Sequence, residues 1–396
     1  MNSKDIISYI EKLVRDGEIA GGILSITQNG ETVFREKFGF SDLLCRKDTE
    51  YSDIFRMMSM TKPVVAVGIM KLIEQGRLGL DDAVSAYLPE FKDMAVIADK
   101  RFEWKEKMNP LSNIFKLAFF NQITPKTVPA ERDFTVRDLL SHTSGLEQGV
   151  WGFMALIRNK ERRTDLAEVC RKYGNYYLDW HPGTMTSYSA LAGFDVLTRL
   201  IEVITQTEAS DFFEEEIFEP LNMNNSSFFT ESQSLVRLYK HTKKGLKDVT
   251  DTKSDVKGFI KMSDGYVCGS GGLYSTVDDY ENFARMLCND GVLNGKQFLK
   301  EETVRQIHTE APPIHLEPES GQVWGLGVRI RQDGKKGNFN STEGTYGWSG
   351  AFGTHFFISP KDKLTAVWLT NISNAGGSGY PVSKEIERLV FDTFVR

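Results

Sequence analysis

The chain has 396 residues, 48 Lys and Arg against 54 Asp and Glu, and a net charge of −6. An acidic balance without a dense basic run argues against nucleic-acid binding, and no run of 18 apolar residues exists to span a membrane. Four cysteines (Cys45, Cys170, Cys268, Cys288) lie far apart without a C-x-x-C pair and six histidines are dispersed, so neither metal nor cofactor is expected.

In chain order, Ile6, Ile7, Ile10, Leu13 and Val14 recur at helical spacing among charges. This predicts an amphipathic helix and not a signal peptide, which needs an unbroken apolar stretch. A cytoplasmic protein is the simplest expectation. Residues 22–27 and 32–38 flank Asn29-Gly30, a hairpin signal. From Ser59 the pattern turns helical through Val64, Val67, Met70 and Leu72 to a C-cap at Gly76. Residues 92–133 are irregular and read as a lid or pocket wall. Segments 191–206 and 209–218 read as amphipathic helices, and Cys170 and Cys288 as buried thiols within helices. Trp151, Phe153, Tyr176, Tyr177 and Trp180 are mainly core candidates, with one or two available to wall a pocket.

Strand character returns at 324–330, 355–358 and 365–369, with turns at Asp333-Gly334 and Pro360-Lys361-Asp362 and a closing helix over 384–395. The expected fold is α/β: one antiparallel sheet flanked by helices and built from both chain ends, with a mainly helical domain inserted. The expected division is 1–58 with 274–396 for the sheet and 59–273 for the helical part. A cleft is expected where they meet.

Ser59-Met60-Thr61-Lys62 sets a hydroxyl and an amine three residues apart at a helix start. Residues so spaced have Cβ atoms roughly 5–6 Å apart, which makes a nucleophile beside a base. Lys62 can take the serine proton only as a free amine, and burial and the positive helix end both disfavour its ammonium. A second group must return that proton to the leaving oxygen, and Tyr188 is the candidate. Other arrangements have less support. Gly347-Trp348-Ser349-Gly350-Ala351 lacks the last glycine of a nucleophile elbow. His142, His181 and His355 have no triad context, and His142 reads as structural. Residues 291–297 miss the P-loop spacing, and 268–273 read as a tight turn.

Five motifs then fall in order: Ser59-Met60-Thr61-Lys62, Leu139–Leu146 around Ser141-His142-Thr143-Ser144-Gly145, Pro182-Gly183 followed by Tyr188-Ser189, Glu219-Pro220-Leu221, and Trp348-Ser349-Gly350. Their order resembles that of serine β-lactamase-like and penicillin-binding-protein-like proteins, in the branch of class C β-lactamases and family VIII carboxylesterases. The resemblance implies a β-lactamase/transpeptidase-like fold with the active site between sheet and helical parts. It also implies an acylated Ser59, Lys62 as the residue that deprotonates it, and Tyr188 as acid/base. Trp348, Ser349 and Gly350 would stand on the substrate-binding strand where β-lactamases have K-T-G, and the backbone N–H groups of Ser59 and Ala351 would form the oxyanion hole.

Two departures matter. Ala190 replaces the amide of Y-x-N, and Trp348 replaces the cation of K-T-G, which removes a counter-charge for a carboxylate-bearing β-lactam. An apolar, uncharged carboxylic ester, as a small-molecule substrate, is the better match. Acyl transfer, amide cleavage and β-lactam cleavage use the same nucleophile and stay open, as does a ligand-binding or sensor protein that no longer turns over. The sequence leaves the oligomeric state unspecified.

Overall fold

The computed structural model describes residues 3–102, 123–158, 161–230, 232–309, 311, 321–332 and 340–395. The expected amphipathic helix is α1, Ser3–Arg15, with Ile6 and Ile10 fully buried. Strands β1 (Gly21–Gln28) and β2 (Glu31–Asp42) follow it. Their turn is set by positive φ at both Asn29 (+53°) and Gly30 (+84°), the pair of values a two-residue type I′ hairpin requires. A short β3, Lys47–Asp48, ends this part of the sheet.

The C-terminal third supplies β4 (Gln322–Trp324), β5 (Arg329–Arg331), β6 (Tyr346–Ser349), β7 (His355–Ser359) and β8 (Leu364–Thr370). The strand order is β4-β5-β6-β7-β8-β1-β2-β3, antiparallel throughout. Both chain ends therefore build one sheet, joined where β1 pairs with β8 from Gly22↔Thr370 to Gln28↔Leu364. One expectation is corrected: residues 324–330 form no single strand. Gly325 N–H donates to Val328 O at 2.9 Å, and Gly327 turns at φ +77°, which folds the stretch into the β4–β5 hairpin. The Asp333-Gly334 turn lies outside the described residues, as does 103–122 of the irregular segment; its flanks pair at Ala95–Ile97 and Thr127–Pro129.

β1 is buried along nearly its whole length because both sheet faces are covered. On one face, Leu24, Ile26 and Trp368 pack with Ile6, Ile10, Ile386 and Val390, from α1 and the closing helix Pro381–Phe394. The other face, with Ile23, Trp348, Phe356 and Val367, belongs to the main core. That core includes α2 (Thr61–Glu74), α3 (Ala192–Thr205) and α4 (Val277–Cys288). Apolar residues surround α2, as a helix at the centre of a core requires, and it ends before Gly76 at φ +71°. Residues 209–218 are helical as expected, with Glu214–Phe218 widened into a π turn. Cys170 is buried, whereas Cys288 is half-buried. Of the five mid-chain aromatics, Trp151 and Trp180 are buried, Tyr176 and Tyr177 are half-buried, and Phe153 is exposed. Among the described residues, no helix is long and apolar enough to cross a membrane.

Candidate active site

Ser59 sits in a 3₁₀ turn, Met58–Met60, that runs directly into α2. The helix begins two residues later than the sequence pattern suggests. The turn is bent by Met58 at φ +51°, a region costly for a side-chain-bearing residue and recurrent at functional sites. Its surroundings hold it there. Phe55–Arg56 pairs with Tyr274–Ser275, and Met57 N–H donates to Leu273 O at 2.9 Å. The buried Arg56 guanidinium grips Asp255 through two bonds of 2.6 and 2.7 Å. Thr61 Oγ1 donates to Met58 O at 2.6 Å and accepts from Leu273 N–H at 3.1 Å.

The strand beside Ser59 is β6. Here the backbones approach so closely that a Cβ on Gly350 would lie 2.3 Å from Met57 O and 2.1 Å from Thr354 Oγ1. Thr354 Oγ1 itself donates to Met57 O at 3.1 Å. Ala351 is thus carried to the nucleophile turn, and among the described residues the backbone N–H groups of Ser59 and Ala351 have no hydrogen-bond acceptor. Two N–H groups without an acceptor are the raw material of an oxyanion hole.

Tyr188 Oη lies 2.7 Å from Ser59 Oγ. Lys62, fully buried on α2, does not bond that oxygen: its Nζ donates to Ala190 O at 2.9 Å and Ser270 O at 2.8 Å and stands 4.8 Å from the Tyr188 ring centroid. The group in contact with the serine is therefore the tyrosine, with the amine against the tyrosine's face. Ser59 and Tyr188 are half-buried, whereas Lys62 is fully buried.

Trp348 and Ser349 go to opposite faces of β6, as strand alternation dictates. Trp348 faces the site, 5.2 Å from the Tyr188 ring and 4.7 Å from Trp324, centroid to centroid. The Ser349 hydroxyl bonds His355 Nδ1 at 2.8 Å on the other face, and His355 Nε2 lies 3.5 Å from Glu387. Burial alone would raise the Glu387 carboxyl, yet His355, Ser341 and Arg329 hold it below its ordinary range. Of the three strand residues expected at the substrate, Trp348 brings its side chain to Tyr188, Gly350 brings close backbone, and the Ser349 hydroxyl is not brought there. Arg329 stands 5.4 Å from the Trp348 ring, with Glu387 as its counter-charge.

His142 packs against Tyr188, Phe194 and Trp324 at 5.0, 5.5 and 4.3 Å. Burial and the Lys62 charge push its imidazole well below the ordinary histidine range, so the ring is neutral. Its Nδ1 accepts from Ser189 N–H at 3.2 Å, which places the remaining proton on Nε2. Its carbonyl accepts from Ser187 N–H at 3.3 Å and Thr186 Oγ1 at 2.9 Å. Sequence reasoning gave His142 a structural place; the structure makes it a clamp on both sides of Tyr188.

Sequence reasoning missed Glu147, Gln148, Asp195 and Ser270. Gln148 Nε2 donates to Ser187 O at 2.6 Å, and Glu147 accepts from Leu191 and Ala192 N–H at 2.9 and 2.8 Å. Ser270, whose carbonyl holds Lys62, bonds through its hydroxyl to Leu191 O and to Asp195, the latter at 2.9 Å. Charged and polar identities at 147–148 were the only signal, and nothing local tied them to residue 188. Among the described residues, no cluster of three or more His, Cys, Asp or Glu side chains is arranged to hold a metal.

Known proteins share the fold of this chain. The Beta-lactamase family matches residues 6–383. Protein Rv1367c of Mycobacterium tuberculosis is 26% identical over 385 residues, 93% of this chain and 90% of that one. Esterase EstB of Burkholderia gladioli is 22% identical over 94% of this chain and 91% of its own. Among solved structures, EstCE1, a hydrolase with promiscuous acyltransferase activity, superposes with a TM-score of 0.78 at 24% identity, covering 98% of both chains.

Proposed function

This chain belongs to the beta-lactamase family, and from that membership we propose that it is a serine carboxylesterase working through an acyl-enzyme on Ser59. The observation that carries the reading is Tyr188 Oη 2.7 Å from Ser59 Oγ, with the buried Lys62 amine against the tyrosine ring. In the first half-reaction Ser59 Oγ attacks the ester carbonyl and its proton passes to the Tyr188/Lys62 pair. The carbonyl oxygen takes the negative charge, facing the N–H groups of Ser59 and Ala351. Collapse breaks the bond to the alcohol, whose oxygen takes the proton back from Tyr188. Water then repeats the sequence on the acyl-enzyme, freeing the acid and restoring Ser59.

The proximity of Tyr188 to Ser59 supports a reassignment within the pair. Tyr188 would exchange the proton directly, and Lys62, held by two carbonyls, would support the charge it carries. A neutral ester is favoured over a β-lactam because Trp348 stands where a substrate carboxylate would meet a cation, and because Arg329 behind it already faces Glu387. EstB is named an esterase, which agrees.

Acyl transfer is the second reading. The same acyl-enzyme serves it, and EstCE1 is described as having both activities. The test is intact-mass analysis after a fluorophosphonate, followed by a panel of p-nitrophenyl esters of increasing chain length with nitrocefin alongside. A single adduct on wild type, none on Ser59→Ala, and ester turnover well above nitrocefin turnover are expected. Equal labelling of Ser59→Ala would falsify the assignment, and faster nitrocefin turnover would reverse the substrate preference. Product partition with added alcohols separates transfer from hydrolysis.

A further inference from the structure

We infer that Glu147 is a positioning residue for acylation: by accepting the Leu191 and Ala192 N–H groups, it fixes the segment that sets Tyr188 on Ser59 and Ala190 on Lys62. The inference rests on the ester-hydrolase reading above and names a part of that site which the serine, lysine and tyrosine do not supply.

Within its own segment α3 has one side-chain cap, Ser189 Oγ, which accepts from Gly193 N–H at 3.0 Å. α3 starts at Ala192, and its N-cap, Leu191, has no side-chain acceptor for the first N–H groups. Such groups must find partners when buried. Glu147 supplies them from 44 residues away, its Oε2 taking Leu191 N–H at 2.9 Å and Ala192 N–H at 2.8 Å. A carboxylate here also meets the positive end of a 14-residue helix.

What it holds is short. Ala190, whose carbonyl accepts from Lys62, is the residue before Leu191, and Tyr188 is two residues earlier. Gln148 and His142 hold Tyr188 through Ser187 and Thr186 before it, and His142 also through Ser189 after it. Three members of the stretch from 142 to 148, His142, Glu147 and Gln148, thus bond into 186–192. Glu147 is the one charged member, and its own backbone is constrained: φ is +56°, and a Cβ on Gly152 would lie 2.4 Å from its Cα.

Glu147 is also only half satisfied. It is buried, and Oε1 has no partner. Around it stand Arg163, Tyr173, Asp195 and Tyr266, joined in one cluster, with Asp179 against the neighbouring backbone and Lys62 beyond the Ala190 carbonyl. Burial first, and Asp195 second, raise its carboxyl to about 7, against the pull of the two N–H groups and Arg163. Ionised, it accepts two charge-assisted bonds; protonated, it loses that strength.

The test compares wild type, Glu147→Ala and Glu147→Gln by the rate of fluorophosphonate labelling at Ser59 and by kcat and KM on a p-nitrophenyl ester from pH 5 to 9. Glu147→Ala should lose ~10–100-fold in labelling rate and kcat, as expected for a small displacement of reacting groups, with KM nearly unchanged. Glu147→Gln, whose amide oxygen accepts the same two N–H groups, should recover most of that rate and lose the fall in kcat that wild type shows as pH drops through about 7. Wild-type rates in Glu147→Ala, or a Glu147→Gln profile superposing on wild type, overturns the inference. If Glu147→Ala does not fold, the Glu147→Gln profile decides. Failure of the underlying reading looks different: Ser59→Ala would label as fast as wild type whatever stands at 147.

Discussion

At the scale of single residues, Tyr188 and Lys62 answer substitution differently, because one is packed through its ring and the other through its hydrogen bonds. Tyr188→Phe keeps the ring against His142, Trp324 and Trp348 and removes only the oxygen on Ser59. Its kcat should fall ~100–10,000-fold, the usual worth of a positioned acid/base, while its melting temperature stays near that of wild type. Lys62→Met instead leaves the Ala190 and Ser270 carbonyls buried without their donor. It should lose rate and also about 1–3 kcal/mol of stability. Steady-state kinetics paired with thermal unfolding separates the cases, and a destabilised Tyr188→Phe with unchanged kcat would reduce the tyrosine to a packing residue.

At the scale of elements, the contact that matters is between β6 and the nucleophile turn. Gly350→Ala puts a methyl group where Met57 O and Thr354 Oγ1 already are, so strand and turn must part. A cost of about 1–3 kcal/mol in urea unfolding is expected for such overpacking, together with a loss of ~10–100-fold in kcat as the Ala351 N–H moves from Ser59. A fully active, equally stable Gly350→Ala would show that the spacing is not needed. This contact also marks the limit of what the sequence reveals. Ser59 and Lys62 are legible from their spacing at a helix start, whereas Tyr188 and Trp348 are legible only through the order of motifs that resembles the family. The hairpin at Asn29-Gly30 is legible because only such residues take positive φ in succession without strain. The β4–β5 hairpin is hidden because Trp324, Leu326, Val328 and Ile330 alternate as a strand does, and Gly327 overrides the pattern only once it turns back. Glu147, Gln148, Asp195 and Ser270 carry no local signal that ties them to the site. They meet Tyr188 and Lys62 through tertiary packing of segments 40 to 200 residues apart, and a buried carboxylate reads in sequence like any surface one.

At the scale of the whole molecule, two buried groups beside the same loop pull stability in opposite directions with pH. His142 is held neutral in the fold, its imidazole well below the ordinary value. The unfolded chain therefore binds more protons below about pH 6.5, and stability is lost as pH falls through that range. Glu147 does the reverse. Its folded value, about 7, lies above the ordinary 4.5, so its protonated form contributes stability that is fully present below 4.5 and lost as pH rises through about 7. Between these limits each group contributes a slope of up to about 1.4 kcal/mol per pH unit, of opposite sign, and the two largely cancel. Wild type should show a flat urea midpoint from pH 5 to 6.5. Glu147→Gln removes one arm of the balance, so its stability should fall relative to wild type as the solution is acidified from pH 8 to 5, by up to roughly 3 kcal/mol. Denaturation curves at those two pH values decide the matter. A pH-independent difference would mean that Glu147 stays ionised in the fold and bonds the 191–192 amides as a permanent anion. The flat wild-type profile would then need another source, and an acid limb in kcat would not come from Glu147.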